Sequence, residues 1–407
     1  MREEQFFSLE SGKPKERAGQ LEGVVVQHFS AEEEQRRLIE GGFADQAEVF
    51  SKIVEFAKKV REKGGMALLV GGAVRDELMG LPPKDFDIEV YRLLPEEVKE
   101  LVMETFGKTF EVGAAFGILK TRIGDIEVDF SLPRRESKTG VAKDFTASAD
   151  PLMSIQEAAR RRDFTINSLA KDILTGEIYD FFGGIRDIEM RILRVTDKER
   201  FRDDPLRVLR GVQFVGRFGL MVDEETTRII REMVPELKYL PKERIREEWI
   251  KLFLKSRKPS LGLQVAMEWG IFHALHPEVV ELVKTPQDPQ WHPEGDAWIH
   301  TLMVVDEAAR IVEEERLGRE DALILLLAAF CHDFGKPLTT KEVEGKITSI
   351  GHEEAGVEIA DRFLSEIGIE KSLREPILKL VANHLMPTLF YVQEVERGQK
   401  ISDGAIK

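Results

Sequence analysis

The chain has 407 residues, with 59 lysines and arginines against 74 aspartates and glutamates, a formal net charge of −15. That length favours several compact units over one core, and the acidic balance excludes a protein that coats nucleic acid through a broad cationic surface, while leaving room for a focused site. A single cysteine, Cys331, excludes an intramolecular disulfide framework and a Cys-rich zinc cluster.

No apolar run reaches the roughly 18 to 20 residues of a membrane span, and the start MREEQFFSLE lacks a signal layout. A cytoplasmic protein without membrane association is expected. Residues 1–48 are polar and read as an extension carrying no chemistry. From Ser51 to Gly64 the apolar positions Ile53, Val54, Phe56, Ala57 and Val60 recur at helical spacing. MALLV (66–70) is a strand, Gly71-Gly72 a turn, AVRDELMG a short helix stopped by Gly80 and Pro82-Pro83, and FDIEVY (86–91) a second strand. After the helix PEEVKELVMETF come the strand KTFEV and a hairpin, FGILKTRI and DIEVDFSL, with a Gly-Asp turn. From about residue 155 the pattern is helical nearly to the end, interrupted by strand-like EIYDFF and ILRVT. QDPQWHPEGDAWIH (287–300) separates two helical regions and reads as a domain boundary.

The stretch LLVGGAVRDELMGLPPKDFDIEV (68–90) carries the first constellation. Without Cβ atoms, Gly71 and Gly72 let backbone approach a phosphate, and N–H groups at the helix start can cradle an anion. Arg75, on that helix, can reach phosphate. Residues two apart on a strand share a face, so Asp85 and Asp87 present two carboxylates together, a pair suited to two Mg²⁺ ions. A third carboxylate is expected from IEVDF, where Glu127 and Asp129 share a face and Asp129 is preferred. Downstream stand ARRRDFTINSLA (159–170), YDFFGGIRDIEMRILRV (179–195) and DDPLRVLRGVQF (203–214). In a helix, Asp204, Arg207 and Arg210 would line one face.

Together these motifs resemble the nucleotidyltransferases of the DNA polymerase β superfamily, within it the bacterial and eukaryotic branch of tRNA nucleotidyltransferases and poly(A) polymerases, over residues 66 to about 255. The resemblance implies in-line transfer of CMP or AMP from CTP or ATP to the 3′ end of tRNA, with two Mg²⁺ ions held by Asp85 and Asp87. It also implies that Arg162 contacts the triphosphate, that Asp163 and Asn167 shape the nucleotide and sugar pocket, and that Asp204 and Arg207 address the Watson–Crick edge of the base. Asp180, Gly183, Gly184 and Asp187 match the family's hinge; Arg134 and Arg135 begin a polar stretch resembling its flexible loop; Arg244, Glu248 and Lys251 match a structural helix. Asp203 stands where the family usually has glutamate, and Gln213 where it has arginine. Poly(A) polymerase and CC- or A-adding specialists are the alternatives within the class.

A second constellation begins at His300 and continues in ILLLAAFCHDFGKPL with His332-Asp333, then His352 and His384. Adjacent histidine and aspartate offer N and O ligands to a divalent transition metal. The pattern resembles the HD phosphohydrolase superfamily, which implies a metal at His300, His332 and Asp333; a metal-dependent hydrolase as the main activity is the alternative from another class. HD sites usually close with a later aspartate in an acidic segment. Asp403 falls too early for it, so an incomplete site with weak hydrolysis is expected.

The expected architecture is α+β: a polar extension (1–48), a polymerase β-like head with a mixed sheet and helices (49–175), an all-helical neck and body (176–286) and a helical HD domain (287–407).

Overall fold

Residues 66–70 are continuously apolar and apolar residues alternate through 86–91 and 126–131, and each of these stretches is a strand near the centre of one sheet. The computed structural model describes residues 24–107, 110–112, 118–139, 144–398 and 400–401. It divides into two units, Met1–Asp203 and Asp204–Lys407.

In the first unit the elements run β1 (Val24–Gln27), α1 (Ala31–Glu40), α2 (Ala44–Glu62), β2 (Met66–Val70), α3 (Gly72–Leu78), β3 (Phe86–Tyr91), α4 (Pro95–Phe106), β4 (Phe110–Val112), β5 (Ile118–Ile123), β6 (Ile126–Ser131), β7 (Arg134–Thr139), β8 (Asp144–Ala149), α5 (Ile155–Arg160), β9 (Ala170–Asp172), β10 (Glu177–Asp180), α6 (Gly184–Glu189), β11 (Ile192–Leu193) and α7 (Lys198–Phe201). Eight strands form one sheet in the order β1-β10-β9-β2-β3-β6-β5-β4. β3 and β6 are parallel; the other pairings are antiparallel. One face packs on α2 and α4 through Phe50, Phe56, Phe86, Phe106 and Phe130. Towards the other, Ala158 of α5 packs with Leu68, Val70, Tyr91 and Ala170.

Three expectations change here. Part of the polar start belongs to the head: β1 pairs with β10, and His28 bonds Glu77 at 2.8 Å, the carboxylate that also holds buried Lys171 at 2.5 Å. The stretch after 155 leaves the helical pattern sooner than expected: besides β10, the strand read at EIYDFF, β9 also joins the sheet. Arg134 and Arg135 start a strand rather than a loop, because β7 pairs with β8 in a separate hairpin.

The second unit contains α8 (Leu206–Phe218), β12 (Met221–Val222), α9 (Glu224–Met233), α10 (Lys242–Lys255), α11 (Pro259–Glu268), α12 (Ile271–Leu275), α13 (Pro277–Val280), α14 (Ala297–Glu314), α15 (Arg319–Cys331), α16 (Lys336–Thr339), a small hairpin β13 (Lys341–Val343) and β14 (Lys346–Thr348), α17 (His352–Glu366), α18 (Lys371–Asn383) and α19 (Met386–Tyr391). Its core stacks aromatic rings: Trp249 on Phe272, and Phe330 against Phe253, Phe334 and Phe363. Cys331 is buried, as a small apolar residue should be. Arg319–Thr339 is long and apolar enough to cross a membrane, which the sequence reading did not anticipate. Two-thirds of it is buried inside the protein, and it carries Asp333, so it is a core segment.

Candidate functional site

Register brings the head's carboxylates together. Asp87 on β3 stands opposite Asp129 on β6, and Lys120 on β5 stands opposite Asp129 on its other side. Paired residues share a face, so an acid, acid, base row crosses three strands. Lys120 Nζ lies 2.6 Å from Asp129 Oδ2. The remaining oxygen, Asp129 Oδ1, is buried without a hydrogen bond. Asp85 sits just before β3, its Oδ1 accepting from the Glu127 backbone N–H at 3.4 Å.

Burial first, then the neighbouring charges of Asp129 and Asp85, push the Asp87 carboxyl up to about 6. Its side chain is open to solvent on one side. Crowded like charges and an orphaned carboxylate oxygen are what a divalent cation relieves. Asp85, Asp87 and Asp129 therefore fit Mg²⁺. Gly71 opens the adjacent turn at φ 65°, where a Cβ would approach Asp87 Oδ2 to 3.8 Å. The turn's backbone and the acid row thus adjoin, with no side chain between them.

Arg75 is buried and anchored rather than reaching outward: it donates to Asp76 Oδ1 at 2.6 Å and to Asn167 Oδ1 at 2.6 Å. Asn167 in turn donates to Asp163 Oδ1 at 2.9 Å. Arg75, Asn167 and Asp163 form one buried chain beneath the turn. Arg162 is half-buried, donating to the carbonyls of Asn167 and Leu169 and to Glu89.

Glu89 is the head residue that motif reading missed. It continues the alternation of Asp85 and Asp87 on β3, is buried, and pairs with Arg161 at 3.2 Å and Arg162 at 3.3 Å. Tyr91 adds a hydroxyl hydrogen bond at 2.7 Å. Alternation was the available signal.

At α10 and α8 of the second unit, Asp204 lies just ahead of α8 rather than within it. Its Oδ1 accepts from the Leu206 N–H at 3.1 Å, and its Oδ2 pairs with Arg244 at 2.8 Å. Arg244 thereby positions Asp204. Asp204, Arg207 and Arg210 are all half-buried, while Gln213 is buried within the helix packing. Glu248 and Lys251 pair with each other at 2.8 Å.

In the same unit, α14, α15, α17 and α18 bring four histidines to Asp333. His300 Nε2 lies 3.9 Å and His332 Nε2 3.1 Å from Asp333 Oδ2, and His352 Nε2 lies 3.4 Å from Oδ1. His384 Nε2 is 3.1 Å from His352 Nε2. Every Nδ1 faces away: His332 to the Ala329 carbonyl, His352 to Ser349, His384 to Val381, and His300 to Glu294 Oε1 at 2.7 Å. Nδ1–H donation outward fixes the tautomer that leaves Nε2 free for a metal.

Burial holds the His300 and His384 rings below the ordinary histidine value. Burial works to raise Asp333, but His332, His352 and Lys336 carry it well below the carboxylate range. Neutral imidazoles and an ionised carboxylate are the ligand forms. Asp333 Oδ1 is buried without a hydrogen bond, while Oδ2 is paired with Lys336 Nζ at 2.8 Å; the histidine nitrogens and this carboxylate fit a divalent transition metal.

His352 and His384 thus lie beside Asp333 together with the other two residues expected as ligands, His300 and His332. Asp403 lies outside the described residues. Gly335 is required nearby, since a Cβ there would meet the His352 carbonyl at 2.1 Å. QDPQWHPEGDAWIH serves this site rather than merely separating helices. Glu294 accepts from both His292 and His300, and Gln287 accepts from Lys336 Nζ at 2.5 Å while Lys336 reaches Asp333 at 2.8 Å.

Comparison with known proteins matches residues 67–194 to the poly A polymerase head domain, 219–282 to the probable RNA and SrmB-binding site of polymerase A, and 297–405 to the HD domain. The chain is 35% identical over 322 residues to the multifunctional CCA protein of Actinobacillus pleuropneumoniae serotype 5b, covering 78% of this chain and 74% of that one. To that of Xanthomonas campestris pv. campestris it is 36% identical over 323 residues, with the same coverage. A CCA-adding enzyme in apo form II has the same fold, with TM-score 0.59 and 22% identity over 88% of this chain and 78% of that one. The Thermotoga maritima CCA-adding enzyme complexed with tRNA follows at TM-score 0.56 and 23% identity, over 88% and 77%.

Proposed function

The chain belongs to the family of multifunctional CCA proteins, and from that membership we propose that it adds CMP and AMP to the 3′ end of tRNA, without a nucleic-acid template. The observation that carries the chemistry is the row of Asp87 and Asp129 on adjacent parallel strands, with Asp85 beside it and one carboxylate oxygen orphaned.

Mg²⁺ held by Asp85, Asp87 and Asp129 would activate the tRNA 3′-hydroxyl and neutralise charge on the departing pyrophosphate. The residues do the rest. Gly71 keeps the turn beside Asp87 clear for phosphate. Arg162, braced by Glu89 and two carbonyls, offers its guanidinium to the triphosphate. Asp163 and Asn167, locked by Arg75, shape the sugar pocket. Asp204, held by Arg244, and Arg207 select the base. Attack on the α-phosphate is in line and forms no covalent enzyme intermediate. Action on tRNA is consistent with the expected cytoplasmic location.

Incubation with tRNAs ending at the discriminator base, at C and at CC, with CTP and ATP supplied separately, tests this by product length. CCA addition extends each by the missing nucleotides and stops. Continued A addition would mark a poly(A) polymerase, and restriction to C or to A a specialist.

A second activity is favoured by the five-residue donor set around Asp333. We propose that it holds a transition metal and hydrolyses phosphate esters such as 2′,3′-cyclic phosphates, with His352 and His384 among its donors.

A further inference from the structure

Between α12 and α13, His276 is buried against the Phe363 ring at 4.8 Å and the Trp249 ring at 6.4 Å. Neither of its ring nitrogens forms a hydrogen bond, and the neighbouring Glu278 Oε1 is likewise buried and without one. A buried imidazole ordinarily satisfies at least one nitrogen, so a ring with neither satisfied, whose Nδ1 faces two carboxylates, calls for a ligand. Backbone hydrogen bonds to Phe272 and from Val279 fix the His276 main chain on both sides.

His276 Nδ1 lies 3.6 Å from Glu278 Oε1 and 3.7 Å from Glu366 Oε2, and the three atoms fall within 4.8 Å of one another. Those separations are too long for hydrogen bonds. Ligand atoms at about 2.0–2.2 Å from a tetrahedral ion stand about 3.3–3.6 Å apart, close to what is found. One imidazole and two carboxylates suit a borderline divalent cation, zinc above all, and the nitrogen donor disfavours calcium or magnesium.

We propose that His276, Glu278 and Glu366 form a zinc-binding site, separate from the Asp333 centre and sharing no residue with it. Because Glu278 lies on α13 and Glu366 ends α17, a bound ion ties the helical body to the HD helices within the second unit. Its role is structural: the His276 ring and Glu278 Oε1 are buried, which leaves one side, at the half-exposed Glu366, for a water to complete the coordination. The inference stands whatever reaction the head performs.

The test is the number of zinc ions bound by the full chain, measured by elemental analysis after dialysis in excess Mg²⁺, which competes for the head carboxylates. Glu278→Gln and Glu366→Gln preserve shape and remove ligand charge; each should lower zinc binding by one ion per chain, or weaken that ion at least about tenfold. His332→Ala should remove zinc from the other centre and leave this ion in place. Zinc should also raise the melting temperature of the unaltered chain more than that of Glu278→Gln, since only a folded site binds. His276→Phe should match the glutamine variants, which carry the test if that variant fails to fold. Equal zinc content and an equal zinc-induced melting shift in the unaltered chain and both glutamine variants would overturn the proposal and leave a simple ion pair.

Discussion

Asp87 and Asp129 face each other across the one parallel strand pair described in the head sheet, so two carboxylates from separate motifs share a face where neither strand alone could place them. Removing either breaks the cation site without opening the core, which lies on the opposite face with Phe86 and Phe130. Asp87→Ala and Asp129→Ala should each lower the rate of CMP addition by about 10³-fold or more, the several kcal/mol that metal assistance contributes to a transition state. Melting temperatures should be unchanged or higher. Near-normal extension by either variant refutes the assignment.

The raised carboxyl of Asp87 predicts a pH dependence. Its folded value of about 6 lies above the ordinary 3.8, so the folded state holds this proton more tightly than the unfolded chain. Ionisation therefore costs the metal-free fold stability as pH rises from about 4 through 6, and cation binding must displace the proton below 6. Mg²⁺ affinity should fall by up to about tenfold per pH unit below 6, and metal-free Asp87→Asn should melt higher than the unaltered protein at pH 7.5. Affinity that is flat between pH 5 and 7 contradicts this.

Glu89 braces Arg161 and Arg162 from below. Its replacement by glutamine keeps the shape and removes the charge, leaving two guanidinium groups less fixed. Glu89→Gln should raise the KM for CTP and ATP about tenfold with a smaller loss in kcat, the signature of weakened nucleotide binding. A fall in kcat at constant KM would instead place Glu89 in the chemical step.

Asp204→Ala should relax the choice among nucleotides, raising misincorporation of UTP or GTP relative to CTP. Arg244→Ala should do the same to a lesser extent, because Arg244 acts by holding the Asp204 carboxylate at 2.8 Å. Unchanged discrimination in both variants removes this segment from base selection.

Glu294 accepts from His300 Nδ1 at 2.7 Å and from His292 at 3.0 Å. A carboxylate behind a metal-ligating histidine typically accounts for 10–100-fold in affinity. Glu294→Gln should weaken Ni²⁺ or Mn²⁺ binding at the Asp333 centre by about that factor, as measured by calorimetric titration, while His384→Ala should weaken it at least as much. Retention of full affinity by His384→Ala would return the fourth and fifth donors to question.

Local pattern alone determined the order of the head: Gly71-Gly72 between a strand and a helix, and Asp85 and Asp87 on the next strand, follow from two-residue alternation and from glycine's backbone freedom. The spacing of His300 and His332-Asp333 was equally legible, because adjacent ligands on a helix end need no long-range information to be noticed. Tertiary structure decided what alternation leaves open. Strand register chose Asp129 to face Asp87, since Glu127 shares its face but lies two residues back, beside Asp85. Packing turned Arg75 inward, onto Asp76 and Asn167, and made Glu89 a brace. β1 and β9 escaped notice because four- and three-residue strands are held by their neighbours in the sheet, and nothing in so short a stretch distinguishes them from a polar loop. His352, His384 and Glu294 come from three separate segments, and only the crossing of helices in the second unit sets the two histidines beside Asp333 and Glu294 behind His300.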